Sequence, residues 1–410
     1  MKILHTSDWH IGRTLYGRKR YHEFSAFFKW LTNQIADQQI EALIVAGDIF
    51  DTGTPSNRAQ QLYYHFLHSL ASTGCRHIVI VGGNHDSPSL LDAPKELLKT
   101  FQVHVVGSAP EKIEDEVLLL KDSNGDTELI VCAVPYLRDR DVRSAAAGED
   151  HQAKNNNLIE GIAGHYQAVC EHAISIQADC SHAPPPIVAT GHLFAAGGTK
   201  VEGDGVRDLY VGSLVHVDGT IFPEAIDYLA LGHLHSSQRV GGNTRFRYSG
   251  APLAMGFHEA EKDKVVLVID LAASEPHITE IAVPRWQKLK SITGNAQSIP
   301  EQLDQLATLG ESVWVEILYD GDEVIASLQQ IVAEGIADSA IEVLRIVNNR
   351  LKERVLERQS PQETLEEMSE EDVFCRCLQA QEIPEKQSEL LLDLFRQTVQ
   401  ELNDEDSQAQ

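Results

Sequence analysis

The sequence has few cysteines and no long apolar segment. Its six cysteines stand at positions 75, 132, 170, 180, 375 and 377 of 410 residues, and no Cys-x-x-Cys pair occurs. This scatter favours a reduced cytosolic chain with buried thiols over a disulfide framework. No apolar run approaches the roughly 18 residues needed to span a bilayer, and the N-terminus lacks the apolar stretch of a signal peptide. We therefore expect a cytoplasmic chain that does not enter a membrane.

Positive charge is also scarce. The chain holds 34 Lys and Arg against 61 Asp and Glu, which gives a net charge of −27. Within this total, residues 353–410 hold sixteen acidic and five basic side chains, a local net charge of −11. Because phosphate contacts need clustered Lys and Arg, the composition argues against a protein that coats DNA through bulk electrostatics. Any contact with DNA must come from local basic patches or from bound metal.

The first 283 residues alternate between short apolar runs and amphipathic stretches such as Glu23–Asp37 and Asn57–Ser72. Short runs rich in Val, Ile and Leu predict strands buried on both faces, so residues 1–283 are expected to form an α/β sandwich of sheets covered by helices. The polar stretch Asp139–Gly164 is expected to be a surface excursion. The predicted strands are Ile3–Thr6, Ala42–Ala46, His77–Val81, Leu129–Ala133, Ile187–Thr190, Tyr228–Leu231 and Val265–Ile269.

Two smaller regions follow. Residues 284–350 predict a small α/β domain of the order strand–helix–strand–helix–strand. Its segments are expected near Leu289–Thr293, Ile299–Thr308, Val313–Tyr319, Glu323–Glu334 and Ile341–Val347. Residues 351–410 predict an acidic helical region, because Ser360-Pro361-Gln362-Glu363 has the order of a helix start and apolar residues recur at helical spacing. The apolar stripe of the last helix is Leu391, Phe395, Val399 and Leu402.

Five of the apolar runs end in the same way, with a small residue followed by a metal-ligand side chain. The ordered set is Asp8-x-His10, Gly47-Asp48-x-x-Asp51, Gly83-Asn84-His85-Asp86, Gly191-His192 and Gly232-His233-x-His235. The carboxyl ends of strands at one edge of a sheet are where open α/β folds build sites. Each motif alone is an ordinary turn or strand end, but the complete set in this order points to a metal centre.

The residue types suit a pair of transition-metal ions. Imidazole together with carboxylate and amide oxygen favours Mn, Fe, Zn or Co over the all-oxygen surroundings that Mg or Ca prefers. Seven side chains exceed the needs of one ion, and with one bridging carboxylate they supply four bonds to each of two. Two divalent ions would draw in a phosphodiester and ionise a water at neutral pH. They would also supply the positive charge that the composition lacks.

The ordered motifs resemble the calcineurin-like metallophosphoesterase superfamily. Residues 5–12 (HTSDWHIG) and 46–53 (AGDIFDTG), with the segments that end in His192 and His235, more narrowly resemble the SbcD family of nuclease subunits from bacterial SbcCD DNA-repair complexes. The resemblance extends over essentially the whole chain. It implies a metallophosphoesterase β-sandwich flanked by helices, a small α/β capping domain and a C-terminal helical region. One departure is Gly82-Gly83, where a bulkier residue and one glycine are expected, and it should loosen that turn slightly.

The resemblance also assigns roles. Asp8, His10, Asp48 and His235 would hold one ion, usually Mn²⁺, and Asp48, Asn84, His192 and His233 would hold the other, with Asp48 bridging. His85 would lie beside the scissile phosphate, and Asp86 would orient it. The implied activities are a 3′→5′ exonuclease on duplex DNA and an endonuclease on single strands and hairpins, in DNA repair, recombination and replication at the nucleoid.

The implied partners are DNA, a second copy of the chain and an SbcC-type ATPase subunit, in a heterotetramer that contains the homodimer. Gly-Lys does not occur in the sequence, so the P-loop pattern is absent and any ATP dependence requires another polypeptide. Residues 351–410 are the natural docking element for it. Two other functions remain open: another calcineurin-like phosphoesterase, such as a phosphatase or cyclic-nucleotide phosphodiesterase, and a non-catalytic scaffold that binds DNA ends.

Several residues have a second interpretation. His85 is either catalytic or a structural neighbour of Asn84, and Asp51 is expected to support the turn after Asp48 rather than bind metal. The apolar stripe of Asn57–Ser72 fits core packing, while the resemblance suggests a homodimer interface there. The basic cluster after His10 fits either a phosphate-binding loop or a solvated loop, and it consists of Arg13, Arg18, Lys19 and Arg20. Arg138, Arg140 and Arg143 alternate with acidic residues and are expected to be ordinary surface residues.

Overall fold

The computed structural model describes residues 1–143, 151–180, 184–195, 217–272, 275–321, 328–337 and 339–348, with Leu391, Leu392 and Phe395. The side chains of residues 151 and 152 are not described. The chain divides into two compact units, Met1–Lys288 and Leu289–Gln410. Apart from three helical residues, the predicted helical region 351–410 and its cysteines Cys375 and Cys377 lie outside the described residues. The three-domain division therefore stays a prediction.

The first unit is built from two sheets with helices. Its strands are β1 (Lys2–Thr6), β2 (Thr14–Leu15), β3 (Arg18–Lys19), β4 (Ala42–Ala46), β5 (His77–Val81), β6 (Val103–Val106), β7 (Val117–Lys121), β8 (Thr127–Cys132), β9 (Ile187–His192), β10 (Tyr228–Gly232), β11 (Gln238–Val240), β12 (Asn243–Tyr248), β13 (Val265–Asp270) and β14 (His277–Ala282). Its helices are α1 (Tyr21–Asp37), α2 (Asn57–Leu70), α3 (Pro88–Asp92), α4 (Lys95–Lys99), α5 (Asp139–Val142) and α6 (His151–Asp179). Short 3₁₀ turns lie at Ile113–Glu116, Gly219–Ile221 and Phe257–Glu259.

The order of the strands brings the ends of the predicted motif strands together. The first sheet has the order β14-β13-β1-β4-β5-β6, and β1, β4, β5 and β6 run parallel. The second sheet has the order β11-β12-β10-β9-β8-β7, and β8, β9, β10 and β12 run parallel. Parallel strands end at the same edge of their sheet, so each sheet presents a row of loops there. In the first sheet, motif residues follow β1, β4 and β5. In the second sheet, one motif residue ends β9 and two follow β10.

The two sheets pack face to face, and helices cover their outer faces. The core between the sheets is aliphatic, and it includes Ile44, Val79, Val131, Val188 and Ala230. Helices α1 and α2 pack on the first sheet, where Trp9 contacts three phenylalanine rings. Helix α6 packs on the second sheet through Tyr166 and its neighbours. This four-layer arrangement confirms the predicted α/β sandwich.

One prediction for this unit was wrong. The stretch Asp139–Gly164 is not a loop excursion: within the described residues it contains α5 and the first half of α6. Its asparagines are partly exposed on the helix surface, while Ile162, Tyr166 and Val169 point into the core at helical spacing. The polar start of α6 concealed this stripe, because the apolar residues become dense only after residue 158.

The second unit contains a three-stranded sheet of the order β15-β16-β17. Its described elements are β15 (Lys288–Gly294), α7 (Ser298–Ala307), β16 (Val313–Tyr319), α8 (Leu328–Gly335) and β17 (Ile341–Asn348). Strands β16 and β17 run parallel, and helix α7 contributes Leu303 to an aliphatic core with Val315 and Ile317. The predicted strand–helix–strand–helix–strand order is confirmed. Part of the predicted helix 323–334 lies outside the described residues.

Two findings bear on the compositional predictions. The described cysteines, Cys75, Cys132, Cys170 and Cys180, are free thiols. Among the helices that the structure describes, none combines the length and the apolarity that crossing a bilayer would require.

Candidate metal centre

The seven proposed ligands come together where the two sheets present their strand ends. Asp8 and His10 follow β1, Asp48 follows β4, and Asn84 follows β5. From the second sheet, His192 ends β9, while His233 and His235 follow β10. All but Asn84 are buried. Two groups of ligand atoms, each confined within 4.8 Å, are Asp8 with His10 and His235, and Asp8 with Asp48 and His192.

The first pocket lies between His10 and His235. The Nε2 atoms of the two rings are 3.1 Å apart, and the Oδ2 atom of Asp48 is 3.5 Å from the Nε2 atom of His10. Asp8 joins this group, with a carboxylate oxygen within 4.8 Å of the ring nitrogens. Two ring nitrogens and carboxylate oxygens therefore face one point, as the ligands of a single cation do.

The second pocket lies around the side-chain oxygen of Asn84. That atom is 2.9 Å from Nε2 of His192 and 3.1 Å from Nδ1 of His233. The Oδ2 atom of Asp48 is 3.3 Å from Nε2 of His192. The same oxygen therefore lies near one histidine of each pocket, which is the position of a bridging carboxylate.

Four of the proposed ligands have unusual backbone conformations. The φ angles of Asp8, His10, Asp48 and His233 are +52°, +47°, +51° and +99°, in a region that L-residues rarely adopt. Each such residue costs on the order of 1–3 kcal/mol and persists only where its surroundings hold it in place. Strain concentrated at the proposed ligands is typical of a functional site rather than of ordinary turns.

A second layer of contacts fixes the ligands. The Nδ1–H of His192 donates to the carbonyl oxygen of Ala46 over 3.0 Å, which leaves Nε2 free as a lone-pair donor. The carboxylate of Asp51 lies 3.4 Å from Nδ1 of His10, and its negative charge favours a proton on that ring. Asp8 accepts hydrogen bonds from the backbone N–H of His233, over 2.9 Å, and from the hydroxyl of Ser7. Oriented rings of this kind are usual in metal sites.

Packing around the ligands leaves no room for side chains at the turn. Gly47 has a φ of +87°, and a Cβ atom there would overlap the His192 ring. The turn at Gly82-Gly83, where the resemblance leads us to expect a bulkier residue before one glycine, is closely packed. A Cβ atom at Gly82 would overlap the carbonyl of Gly107, so the glycine allows two backbone segments to pack closely.

Burial sets the electrostatics of the centre. Burial raises the pKa of Asp8 to about 6 although His192 and His10 oppose the shift. Burial also disfavours the charged form of Asp48, yet the neighbouring His192 and His10 hold the pKa of Asp48 well below its usual value. The Asp48 carboxylate in turn outweighs the burial of His192 and raises the pKa of that ring to about 9. The buried carboxylates thus stabilise positive charge on the groups that lie between them. The nitrogen and oxygen donors fit a pair of transition-metal cations.

His85 lies beside the first pocket. Its ring centroid is 4.8 Å from that of His10 in an edge-to-face arrangement, and its Nδ1–H donates to the carbonyl oxygen of Asp51 over 2.8 Å. The Asp86 carboxylate instead accepts backbone N–H groups of Ile49, Phe50 and Gly83, at 3.0, 2.9 and 2.9 Å. These contacts favour a different role from the predicted one: Asp86 supports the turn after Asp48, and the Asp51 carbonyl orients His85.

The structure separates the basic cluster after His10 into two kinds of residue. Arg20 is buried and forms a double hydrogen bond with the Glu23 carboxylate, so it does not bind phosphate. Arg13 lies 3.2 Å from Asp51, while Arg18 and Lys19 are exposed on the β2–β3 hairpin.

The apolar stripe of α2 packs into the protein's own core, as Tyr63, Phe66 and Leu67 are buried. Core packing of this stripe is therefore confirmed, and a homodimer contact of this helix stays a prediction.

Three further residues lie near the centre and belong to none of the sequence motifs, because each comes from a segment that carries no proposed ligand. The Lys264 ammonium donates to the carbonyl oxygen of His235 over 3.0 Å. The Tyr248 hydroxyl contacts the backbone just after His192. The Tyr136 ring lies edge-on to His192, with centroids 6.3 Å apart. Such contacts have no signature in local spacing.

Comparisons with known proteins agree with this geometry. A family model described as calcineurin-like phosphoesterase matches residues 1–237, and one described as Type 5 capsule protein repressor C-terminal domain matches residues 285–382. The chain is 36% identical to the D subunit of nuclease SbcCD from Escherichia coli (strain K12), over 98% of both chains. It is 35% identical to the protein of the same name from Rhodobacter capsulatus, over 75% of this chain and 76% of the relative. It is 34% identical to the one from Bacillus subtilis, over 67% of each.

Similarity at this level over nearly the full length of both chains, together with a family match over more than half of this one, establishes the family. The chain belongs to the calcineurin-like phosphoesterases and, among them, to the SbcD family of SbcCD nuclease subunits.

Proposed function

We propose that this chain is a two-metal DNA nuclease that hydrolyses phosphodiester bonds. The observation that carries the proposal is the position of the Asp48 carboxylate, whose Oδ2 atom lies 3.5 Å from a histidine of one pocket and 3.3 Å from a histidine of the other. Family membership supports the same activity, since the relatives are nucleases by name.

Seven residues are assigned to the ions. Asp8, His10, Asp48 and His235 hold the first, and Asp48, Asn84, His192 and His233 hold the second. Mn²⁺ is the proposed metal, because mixed imidazole, carboxylate and amide donors suit it better than Mg²⁺ or Ca²⁺. Bound ions would supply Lewis acidity toward the phosphate and an ionised water at neutral pH.

His85 is assigned to proton transfer or to stabilisation of charge at the scissile phosphate. Its Nδ1–H donates to the Asp51 carbonyl, which fixes the orientation of the ring. The edge-to-face packing on His10 keeps the ring beside the first pocket. Asp86 acts indirectly, because its three backbone contacts hold the turn that presents Asp48.

The proposed activities are a 3′→5′ exonuclease on double-stranded DNA and an endonuclease on single strands and hairpins. The test is digestion of end-labelled duplex and hairpin DNA by the purified chain with Mn²⁺, with a chelator as control, and with bound metal measured by mass spectrometry. Two bound ions with metal-dependent cleavage would support the proposal. Hydrolysis of a small phosphodiester without cleavage of DNA would indicate another phosphoesterase, and a chain that binds no metal would indicate a scaffold.

The name of the relatives describes one part of a complex, SbcCD. We therefore place this chain in a heterotetramer, as a homodimer with an SbcC-type ATPase subunit through which cleavage depends on ATP, in DNA repair and recombination at the nucleoid. The absence of Gly-Lys supports a separate ATPase. The exposed apolar residues Leu97 and Phe101 are the candidates for the homodimer contact, since the α2 stripe is used by the core. The mass of the purified chain in solution measures this state.

A further inference from the structure

The segment that follows β8 passes beside the second pocket. Pro135 and Leu137 are buried, while Tyr136 and Arg138 are only partly buried. Arg138 has extended backbone angles, a φ of −84° and a ψ of 157°. Successive side chains of an extended chain point to opposite sides, so Tyr136 and Arg138 share the side that faces away from Leu137. Leu137 itself packs into the core beneath α6.

Tyr136 is fixed next to the proposed ligands of the second ion. Its backbone N–H donates to the carbonyl oxygen of Gly82 over 2.8 Å, in the turn that leads to Asn84. Its ring lies edge-on to His192 at 84°, with 6.3 Å between the centroids. A partly exposed aromatic ring is thus held at the wall of the second pocket. Tyrosine in this position offers a flat face on which a base can stack.

Arg138 has donor capacity that the described part of the chain does not use. Its Nη1 atom is buried and has no hydrogen-bond partner among those residues. The nearby carboxylates are engaged elsewhere: Asp141 accepts the Arg138 backbone N–H, and Asp139 pairs with Arg143. A buried guanidinium donor without a partner is costly, and phosphate is the group whose geometry it matches.

Tyr136 and Arg138 stand two residues apart on the same side of this segment. In extended backbone that spacing is about 7 Å, the distance between neighbouring groups of a nucleic-acid strand, so the two side chains can contact one strand together.

We propose that Tyr136 and Arg138 form a nucleotide-binding subsite beside the second pocket. The Tyr136 ring stacks on an unpaired base, and the Arg138 guanidinium pairs with the phosphate next to the one that is cleaved. The subsite rests on the proposed nuclease function and gives it a substrate class: single-stranded DNA or a frayed end, because a base within a duplex cannot stack on a side chain. In this proposal Arg138 binds phosphate, whereas its sequence context predicts an ordinary surface residue.

The test compares Tyr136→Ala and Arg138→Ala with two matched controls. Tyr136→Phe keeps the ring and removes the hydroxyl, and Arg140→Ala removes the same charge two residues away, where the side chain is 78% exposed and lies 3.6 Å from Asp141. For each protein we would measure bound Mn²⁺, hydrolysis of bis(p-nitrophenyl) phosphate, and KM and kcat on a single-stranded oligonucleotide. Affinity for the same oligonucleotide, measured with a chelator present, separates binding from cleavage.

Tyr136→Ala and Arg138→Ala should each weaken oligonucleotide binding and raise KM by roughly tenfold, the scale of one lost stacking or phosphate contact. Both controls should behave as wild type, and hydrolysis of the small diester and bound Mn²⁺ should not change. The slope of log affinity against log salt should fall by about 0.7 in Arg138→Ala, as for one phosphate contact on a single strand.

If Arg138→Ala and Arg140→Ala bound the oligonucleotide equally well, the subsite would be overturned. It would also be overturned if the Tyr136 and Arg138 variants lost hydrolysis of the small diester together with oligonucleotide binding. The segment would then be a structural support of the metal centre. Failure of the proposed nuclease function would give a different result. The wild-type chain would leave DNA intact, and the oligonucleotide affinities of the variants would still show whether the subsite exists.

Discussion

At the scale of single residues, the centre combines strained backbone with converging donors. Four proposed ligands have positive φ angles, and their surroundings hold them there through hydrogen bonds such as that from the His233 N–H to Asp8. Local sequence carries part of this information, because short polar residues after glycine mark the strand ends. It does not carry the tertiary contacts. The role of Asp51 at both His10 and His85 follows only from the fold.

His85 is the side chain proposed to act at the scissile phosphate. Replacement by glutamine, His85→Gln, should keep both ions, because the proposed ligands are untouched, yet reduce DNA cleavage by about 10²–10⁴-fold, the usual contribution of a general acid or base. Metal content and single-turnover cleavage of labelled DNA measure the two effects separately. Near-normal cleavage with both ions bound would remove His85 from the reaction.

Asp48→Ala should be more severe, since the Asp48 carboxylate lies against histidines of both pockets and also accepts the backbone N–H of His85 over 2.9 Å. Loss of metal should accompany loss of activity. Mass spectrometry of the metal and a melting curve show whether the ions or the fold are lost. A folded variant that binds two ions with wild-type affinity would contradict the bridging assignment.

His5 gives a prediction for the pH dependence of stability. Burial lowers the pKa of this ring to about 3, and its Nδ1 lies 2.9 Å from the Tyr228 hydroxyl. Because the folded pKa is below the unfolded value near 6.5, the unfolded chain takes up the proton first. The stabilisation is complete above about pH 6.5 and is lost as the pH falls toward 3, by up to ~1.4 kcal/mol per pH unit.

Urea unfolding of metal-free protein at pH 6.5 and 5 measures this loss, with His5→Gln as the comparison because glutamine does not titrate. Wild type should lose about 2 kcal/mol more stability than His5→Gln over this interval. Equal losses in the two proteins would show that other groups control acid unfolding.

At the scale of secondary-structure elements, prediction succeeded where a strand is buried on both faces. Strands β4 and β5 begin and end where their apolar runs do, since Ala42–Ala46 and His77–Val81 lie wholly inside the sandwich. It failed for strands with an exposed face, such as β14, and for the polar start of α6. In those elements the apolar residues are too few in sequence to reveal the periodicity before the packing partner is known.

The loop after β9 gives a prediction at this scale. The Tyr248 hydroxyl donates to the carbonyl of Leu193 over 2.8 Å and accepts the N–H of Ala195 over 2.9 Å, which fixes the chain just after His192. Tyr248→Phe removes both contacts and should weaken Mn²⁺ binding in the second pocket by about 10–100-fold, as loss of an outer contact typically does.

The matched control is Tyr228→Phe. That hydroxyl is equally buried, but it contacts His5 rather than a ligand loop, so its loss should reduce stability without changing metal affinity. Calorimetric titration with Mn²⁺ and thermal melting compare the two variants. Similar metal affinities in both would show that Tyr248 does not position His192.

At the scale of the whole molecule, the sequence reveals the site more completely than it reveals the partners. Motif residues directly after strands are brought together by any fold that aligns those strand ends, so their convergence is predictable from order alone. The interaction surfaces are not predictable in this way. The apolar stripe of α2 suggested an interface but packs inside the protein, whereas no sequence pattern pointed to the exposed Leu97 and Phe101. An apolar stripe has the same spacing whether the protein's own core or a partner covers it.

The same ambiguity applies to the proposed helical region 351–410, and a truncation resolves it. Deletion of residues 355–410 should leave two bound ions and Mn²⁺-dependent cleavage largely intact, because the proposed ligands all lie before residue 236. It should abolish co-purification with an SbcC-type ATPase and any stimulation of cleavage by ATP. The reason is physical: an amphipathic helix that docks in a partner's groove contributes its apolar face to the complex rather than to the chain's own core.

The measurements are metal content, cleavage of labelled DNA with and without ATP, and recovery of the ATPase on the immobilised chain. A full-length variant with Leu391→Glu and Phe395→Glu places two charges on the predicted apolar stripe and is the matched comparison. It should lose the ATPase as the truncation does while it retains two ions. If either protein still bound the ATPase tightly, the docking surface would lie elsewhere. If either lost its ions or unfolded, the stripe would belong to the core of the chain, since only an internal role couples it to the metal centre.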